Sequence, residues 1–110
     1  MDSSNYPQIV KELLNRHAQG KPSFGNIEVE TIFDLEHDRY EILHMGWHHD
    51  RRIHQCVMHI DIRSHKIWIL HNTTEHELDL ELIEMGVSKS DIVLGLYPPE
   101  LRQFTGYAVQ

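Results

Sequence analysis

The sequence has one cysteine, Cys56. A lone thiol closes no intrachain disulfide and cannot build a cysteine-rich zinc site, which suits a reducing compartment and leaves packing to hold the fold. Cys56 stands inside an apolar, strand-like run, where a thiol behaves as a small hydrophobe. No apolar run approaches the roughly 20 residues of a membrane span, and residues 1–5 carry neither a basic start nor an apolar stretch, so a cytoplasmic location is expected. Positive charge is also scarce. Ten Lys and Arg stand against 17 Asp and Glu, a formal net charge of −7. Such a mean field repels a phosphate backbone and disfavours direct DNA binding; the compact basic candidate is the pair Arg51 and Arg52. The six glycines form neither a P-loop nor a dinucleotide fingerprint, and no serine or cysteine nucleophile motif occurs. Neither an enzyme nor a cofactor is expected.

What is present reads as one folded domain over residues 1–110. Hydrophobic residues make up 40% and charged residues 25%, enough apolar content to close a core. Tyr6, Ile9, Val10, Leu13, Leu14 and His17 recur at helical spacing, with Ser3 or Ser4 as expected N-cap and Gly20 and Pro22 as the stop. From Asn26 the period changes to two, with Ile27, Val29, Thr31 and Phe33 on one side. Three further strand patterns follow at 39–47, 52–62 and 66–71, joined by short polar turns. Thr74 and Glu77 have capping-box spacing ahead of an apolar stripe from Leu78 to Met85, which predicts a second helix. The expected fold is therefore α+β: a four-stranded antiparallel meander with an N-terminal helix, a second helix after the sheet and an ordered C-terminal tail containing one helical turn near 100–102.

Turns at His49-Asp50 and Ser64-His65 set a register in which Leu43 faces Cys56, Met45 faces His54, Ile60 faces Ile69 and Ile62 faces Ile67. One face then carries Leu43, Met45, Trp47, Cys56, Met58, Ile60, Ile62, Ile67 and Ile69. The other carries Ile27, Val29, Phe33, Tyr40, Ile42, Ile53, Val57, Trp68 and Leu70, interleaved with His44, Gln55, His59 and Asp61. Two apolar faces need two covers, and two moderate helices supply one, so a homo-oligomer or another protein partner is expected on the second.

Ten histidines invite a metal reading. In this register His44 and His59 share a face without pairing, His54 points away, and no helical two-histidine motif occurs, so no metal site is expected. His59 and Asp61, two apart on one strand with Tyr40 opposite His59, make a polar cluster compatible with acid/base work or with an interface. Glu75, Glu77, Asp79, Glu81 and Glu84 make the second helix acidic, a surface suited to a basic partner, with Glu77 and Glu81 as contact candidates. Tyr40, His44, His59, Asp61 and Trp68 complete the interaction candidates.

A longer pattern runs through most of the chain. It comprises Lys21-Pro22-Ser23, His44-Met45-Gly46-Trp47, Arg52-Ile53, Cys56 to Ile62, Lys66-Ile67-Trp68-Ile69, Thr74-Glu75 and Gly86-Val87. It continues through Asp91 to Gly95, Pro98 to Arg102 and Thr105 to Ala108. This string resembles the fdxN element excision controlling factor XisI family of cyanobacteria. The resemblance implies an accessory factor for programmed DNA excision, working alongside a site-specific recombinase and a nuclease-like companion, XisH. It implies no catalytic residue. Ser64-His65 and Asn72-Thr73 stand where similar chains tend to carry Asp-Gly, and a positive φ is harder for histidine than for glycine.

Overall fold

In a computed structural model, residues 3–20 and 25–110 are described; Lys21-Pro22-Ser23, and with them the expected stop at Pro22, lie outside that range. A single 3₁₀ turn at Ser3–Asn5 leads into helix α1, Tyr6–His17. Asn5, rather than Ser3 or Ser4, occupies the N-cap, and Pro7 in the first turn fits where the helix has amides without partners. The 3.6-residue stripe then does what its spacing dictates: Tyr6, Ile9, Val10, Leu13 and Leu14 are all buried.

The strands are β1 Asn26–Asp34, β2 Arg39–His48, β3 Arg51–Arg63, β4 Lys66–Asn72 and β5 Ile92–Leu94. They form one sheet in the order β1-β2-β3-β4-β5, with the first four antiparallel and β5 parallel to β4. The sheet is thus mixed and five-stranded, not a four-stranded meander. The extra strand is the short apolar run of the tail. It can run parallel because helix α2, Leu78–Glu84, carries the chain back between β4 and β5. That helix is also shorter than its apolar stripe suggests. Thr74 does not cap it: its hydroxyl donates to Asn72 Oδ1 at 2.6 Å and accepts from the His76 amide at 3.2 Å, tying up a turn ahead of the helix. Helix α3, Pro99–Arg102, is the expected turn after Pro98-Pro99.

The hairpin turns set the predicted pairs Leu43↔Cys56, Met45↔His54, Ile60↔Ile69 and Ile62↔Ile67. Two bulges then change the faces. The β2–β3 register jumps from Leu43↔Cys56 to Ile42↔Met58, leaving Val57 as the extra residue, and β3–β4 jumps from His59↔His71 to Ile60↔Ile69, leaving Leu70 extra. One inserted residue reverses the alternation beyond it. Tyr40 therefore pairs with Ile60, not His59, and Met58, Ile60, Ile67 and Ile69 join Tyr40 and Ile42 beneath the helices in a single core. Two apolar faces become one thoroughly apolar face and one mixed face.

At Gly46 the β1 backbone comes too close for any side chain. Gly46 has φ of +152°, and a Cβ there would lie 2.0 Å from the Asn26 carbonyl oxygen. The tail folds over the β5 edge. Ala108 bridges Val93, its amide donating to the Ile92 carbonyl at 2.9 Å, and the Arg102 guanidinium lies 5.1 Å from the centre of the Trp68 ring.

Candidate functional site

The sheet face turned away from α1 and α2 is the most distinctive open surface. The pairs Glu28↔Met45, Glu30↔Leu43 and Ile32↔Glu41 place β1 and β2 side chains there, and His54, Cys56, His59 and Asp61 continue it on β3. Trp47 is 51% exposed and Ile32 45%, with Leu43, Met45 and Cys56 half-buried between them. One exposed aromatic and several aliphatic side chains among carboxylates and imidazoles are the composition of a contact surface. Arg52 lies over the Trp47 ring, 5.4 Å from its centre, and supports the indole from one side.

At the other end of this face sits a polar network around Asp61, a carboxylate only 3% exposed. A buried carboxylate must be satisfied by donors or it is costly. His59 Nε2 lies 2.7 Å from Oδ1, Arg63 donates to Oδ2 at 2.9 Å, and the Arg39 guanidinium stands 3.9 Å away. The other His59 nitrogen, Nδ1, is 3.4 Å from Glu41. His59 is thereby clamped between two carboxylates, which fixes its ring. The shallow pocket beside it, about 250 Å³, is lined by Ile32, Asp34, Arg39, Glu41 and His59, a set without a hydroxyl, thiol or amine nucleophile. The arrangement can orient and pair with charged groups of a ligand or partner.

The family model for XisI protein matches residues 1–109. This chain belongs to the XisI family. A solved XisI-like protein from Anabaena variabilis is 40% identical, with 99% of this chain and 100% of that one covered and a TM-score of 0.92. A second solved structure, the fdxN element excision controlling factor XisI from Anabaena variabilis, is 24% identical with 98% of each chain covered and a TM-score of 0.84, a likeness of fold. No curated protein matches.

Within this XisI fold the residues singled out from sequence separate into distinct places. His59 and Asp61 share one face as predicted, but the bulge turns them to the open side, away from Tyr40. Tyr40 is fully buried in the core, its hydroxyl donating to Asp38 at 3.1 Å, and burial pushes its phenol up to about 12. Tyr40 offers no contact surface. His44 keeps the face predicted for it, with Val29 and Ile42, which is the helix side; there it lines a pocket with His17 and His76 and burial lowers its pKa. Trp68 is held between Arg63 and Arg102, each 5.1 Å from its centre, and its buried indole N–H has no hydrogen-bond partner among the described residues.

Glu81 is engaged with His17 at 2.8 Å, whereas Glu77, at the start of α2, is exposed. Arg51 and Arg52 lie at the exposed start of β3, and Arg52 is occupied by Trp47. Cys56 is raised in pKa by burial and by Glu41, as an unreactive packing thiol should be. Sequence reasoning missed His17 and His76 as a pair. His17 continues the apolar stripe of α1, which placed it toward the sheet, but nothing local reveals that the turn before α2 returns to it.

Proposed function

We propose that this XisI-family chain is a non-enzymatic accessory factor of DNA-element excision that works by protein contact through its open sheet face. The observation that carries the reading is an open face that runs from half-exposed Trp47 at one end, through Leu43, Met45 and Cys56, to half-exposed Ile32 beside the clamped His59–Asp61 network at the other. An aromatic anchor, aliphatic side chains along the same face and a fixed polar rim are the parts of a binding hot spot. One structural neighbour is named an fdxN element excision controlling factor, which supports the process. A net charge of −7 supports a protein partner over a DNA duplex, and a nuclease-like XisH protein, whose substrate cleft must be basic, is the partner of complementary charge. Exposed Glu77 and the β1 glutamates steer the encounter, and the apolar patch supplies affinity.

The test is co-expression with the XisH-like protein followed by gel filtration, with duplex DNA titrated separately. Co-elution of the two proteins and DNA binding no tighter than non-specific support the reading. Tight DNA binding lost on Arg51→Ala with Arg52→Ala would replace it with a direct DNA-binding excision factor.

A further inference from the structure

We infer that His17, His76 and Glu81 form a zinc-class metal site with one coordination position open to the adjoining pocket. The three residues come from separate segments: His17 ends α1, Glu81 lies within α2, and His76 sits in the connection just before it. One ligand atom of each lies within 4.8 Å of the other two. His17 Nε2 is 2.8 Å from Glu81 Oε1, and the His17 and His76 rings are 4.5 Å apart with a 52° tilt.

Tetrahedral zinc with nitrogen and oxygen ligands at about 2.0–2.2 Å spaces its donor atoms about 3.3 Å apart. The His17–Glu81 pair must open by about half an ångström, and the widest donor separation must close by at most about 1.5 Å. Exposed His76 can make that movement by side-chain rotation. In the metal-free chain the His17–Glu81 hydrogen bond satisfies both groups, and the ion takes the place of the shared proton. Two imidazoles and one carboxylate suit Zn²⁺ or Co²⁺, whereas Mg²⁺ and Ca²⁺ require oxygen ligands.

The backbone beneath His76 is already braced. Asn72 donates to the His76 carbonyl at 2.8 Å while Thr74 accepts from its amide, so the turn fixes the His76 backbone and leaves only the side chain to rotate. His17 and His76 line a pocket of about 460 Å³ together with His44, Gln55, Thr73 and Thr74. With His17 and His76 at the wall of this pocket and Glu81 as the third ligand, the fourth position is left for water or an incoming donor from the pocket. This site lies on the helix side of the sheet, opposite the contact face, so each reading can fail without the other.

Thermal unfolding and Co²⁺ absorption spectroscopy on the full chain test it. Stoichiometric Zn²⁺ is expected to raise the Tm by about 5 °C or more, Mg²⁺ to leave it unchanged, and Co²⁺ to give the intense visible bands of a low-coordinate site. His76→Ala, at an exposed position, and Glu81→Gln should each abolish both signals, while His71→Ala on β4 keeps them. No Zn²⁺ shift in the folded wild type, or a shift and spectrum that survive His76→Ala, would overturn the assignment, the latter because other histidines would then be the ligands.

Discussion

Gly46→Ala should be among the most damaging single-methyl additions this chain can receive. The added Cβ would stand 2.0 Å from the Asn26 carbonyl oxygen and 3.0 Å from the Asn26 carbonyl carbon and the Ile27 Cα, all backbone of β1. Carbon and oxygen at rest are well over 3 Å apart, so β1 must retreat by more than about 1 Å, beyond what a hydrogen bond tolerates. The pairs Asn26↔Trp47 and Ile27↔Gly46 then open, and Ile27, only 3% exposed, loses burial of about 1.5–3 kcal/mol. A φ of +152° adds about 1–3 kcal/mol for alanine. The expected loss is about 3–5 kcal/mol, or a Tm lower by about 12 °C or more. Gly20→Ala separates the contributions: it has positive φ but nothing within 4 Å of the added carbon, and should cost only about 1–2 kcal/mol. Urea unfolding followed by circular dichroism measures both. A Gly46→Ala loss no larger than that of Gly20→Ala would refute the close-approach argument.

Other consequences are equally direct. Ser64 and His65 both adopt positive φ, 50° and 63°, in the β3–β4 turn, so replacing them with Asn-Gly should stabilise by about 1 kcal/mol in urea unfolding; destabilisation would mean these side chains hold the turn. The phenols of Tyr40 and Tyr107 are held at about 12 against an ordinary 10.0, chiefly by burial and then by Asp38 and Asp79. The unfolded chain loses these protons first, so stability should fall as pH rises from 10 toward 12, and Tyr107→Phe should flatten part of that slope in alkaline unfolding curves. Because the bulges leave one mixed face rather than a second fully apolar one, light scattering at tens of micromolar should show at most a weakly associating homo-oligomer; an obligate dimer would mean two copies bury the Trp47 patch.

Local periodicity placed α1 and the first four strands almost to the residue, because apolar spacing and turn chemistry act over a few neighbours. The His49-Asp50 and Ser64-His65 turns correctly fixed the pairs beside them for the same reason. Sequence could not reveal the bulges at Val57 and Leu70. A bulge is decided by how β3 satisfies two neighbours at once, and its effect, moving Tyr40 and His59 to opposite faces, is felt several residues away. Capping-box spacing at Thr74 misled because Asn72, two residues earlier, competes for the same hydroxyl. The three-residue β5 is too short to show a period, and its place beside β4 depends on tertiary packing. His59–Asp61 was legible as an i, i+2 pair on one strand; His17–His76–Glu81 was not, since its members meet only when α1 and α2 pack.

A contact role for the open sheet face toward a XisH-like protein is tested most directly by isothermal titration of that protein with wild type and with the Trp47→Ala, Ile32→Ser double variant. Both positions are about half exposed, so the variant should fold normally, which circular dichroism verifies. Saturable wild-type binding that weakens tenfold or more in the variant, about 1.4 kcal/mol or more, is the predicted result. Equal affinity of the two forms, or no heat of binding from wild type when both proteins are folded, would contradict the account.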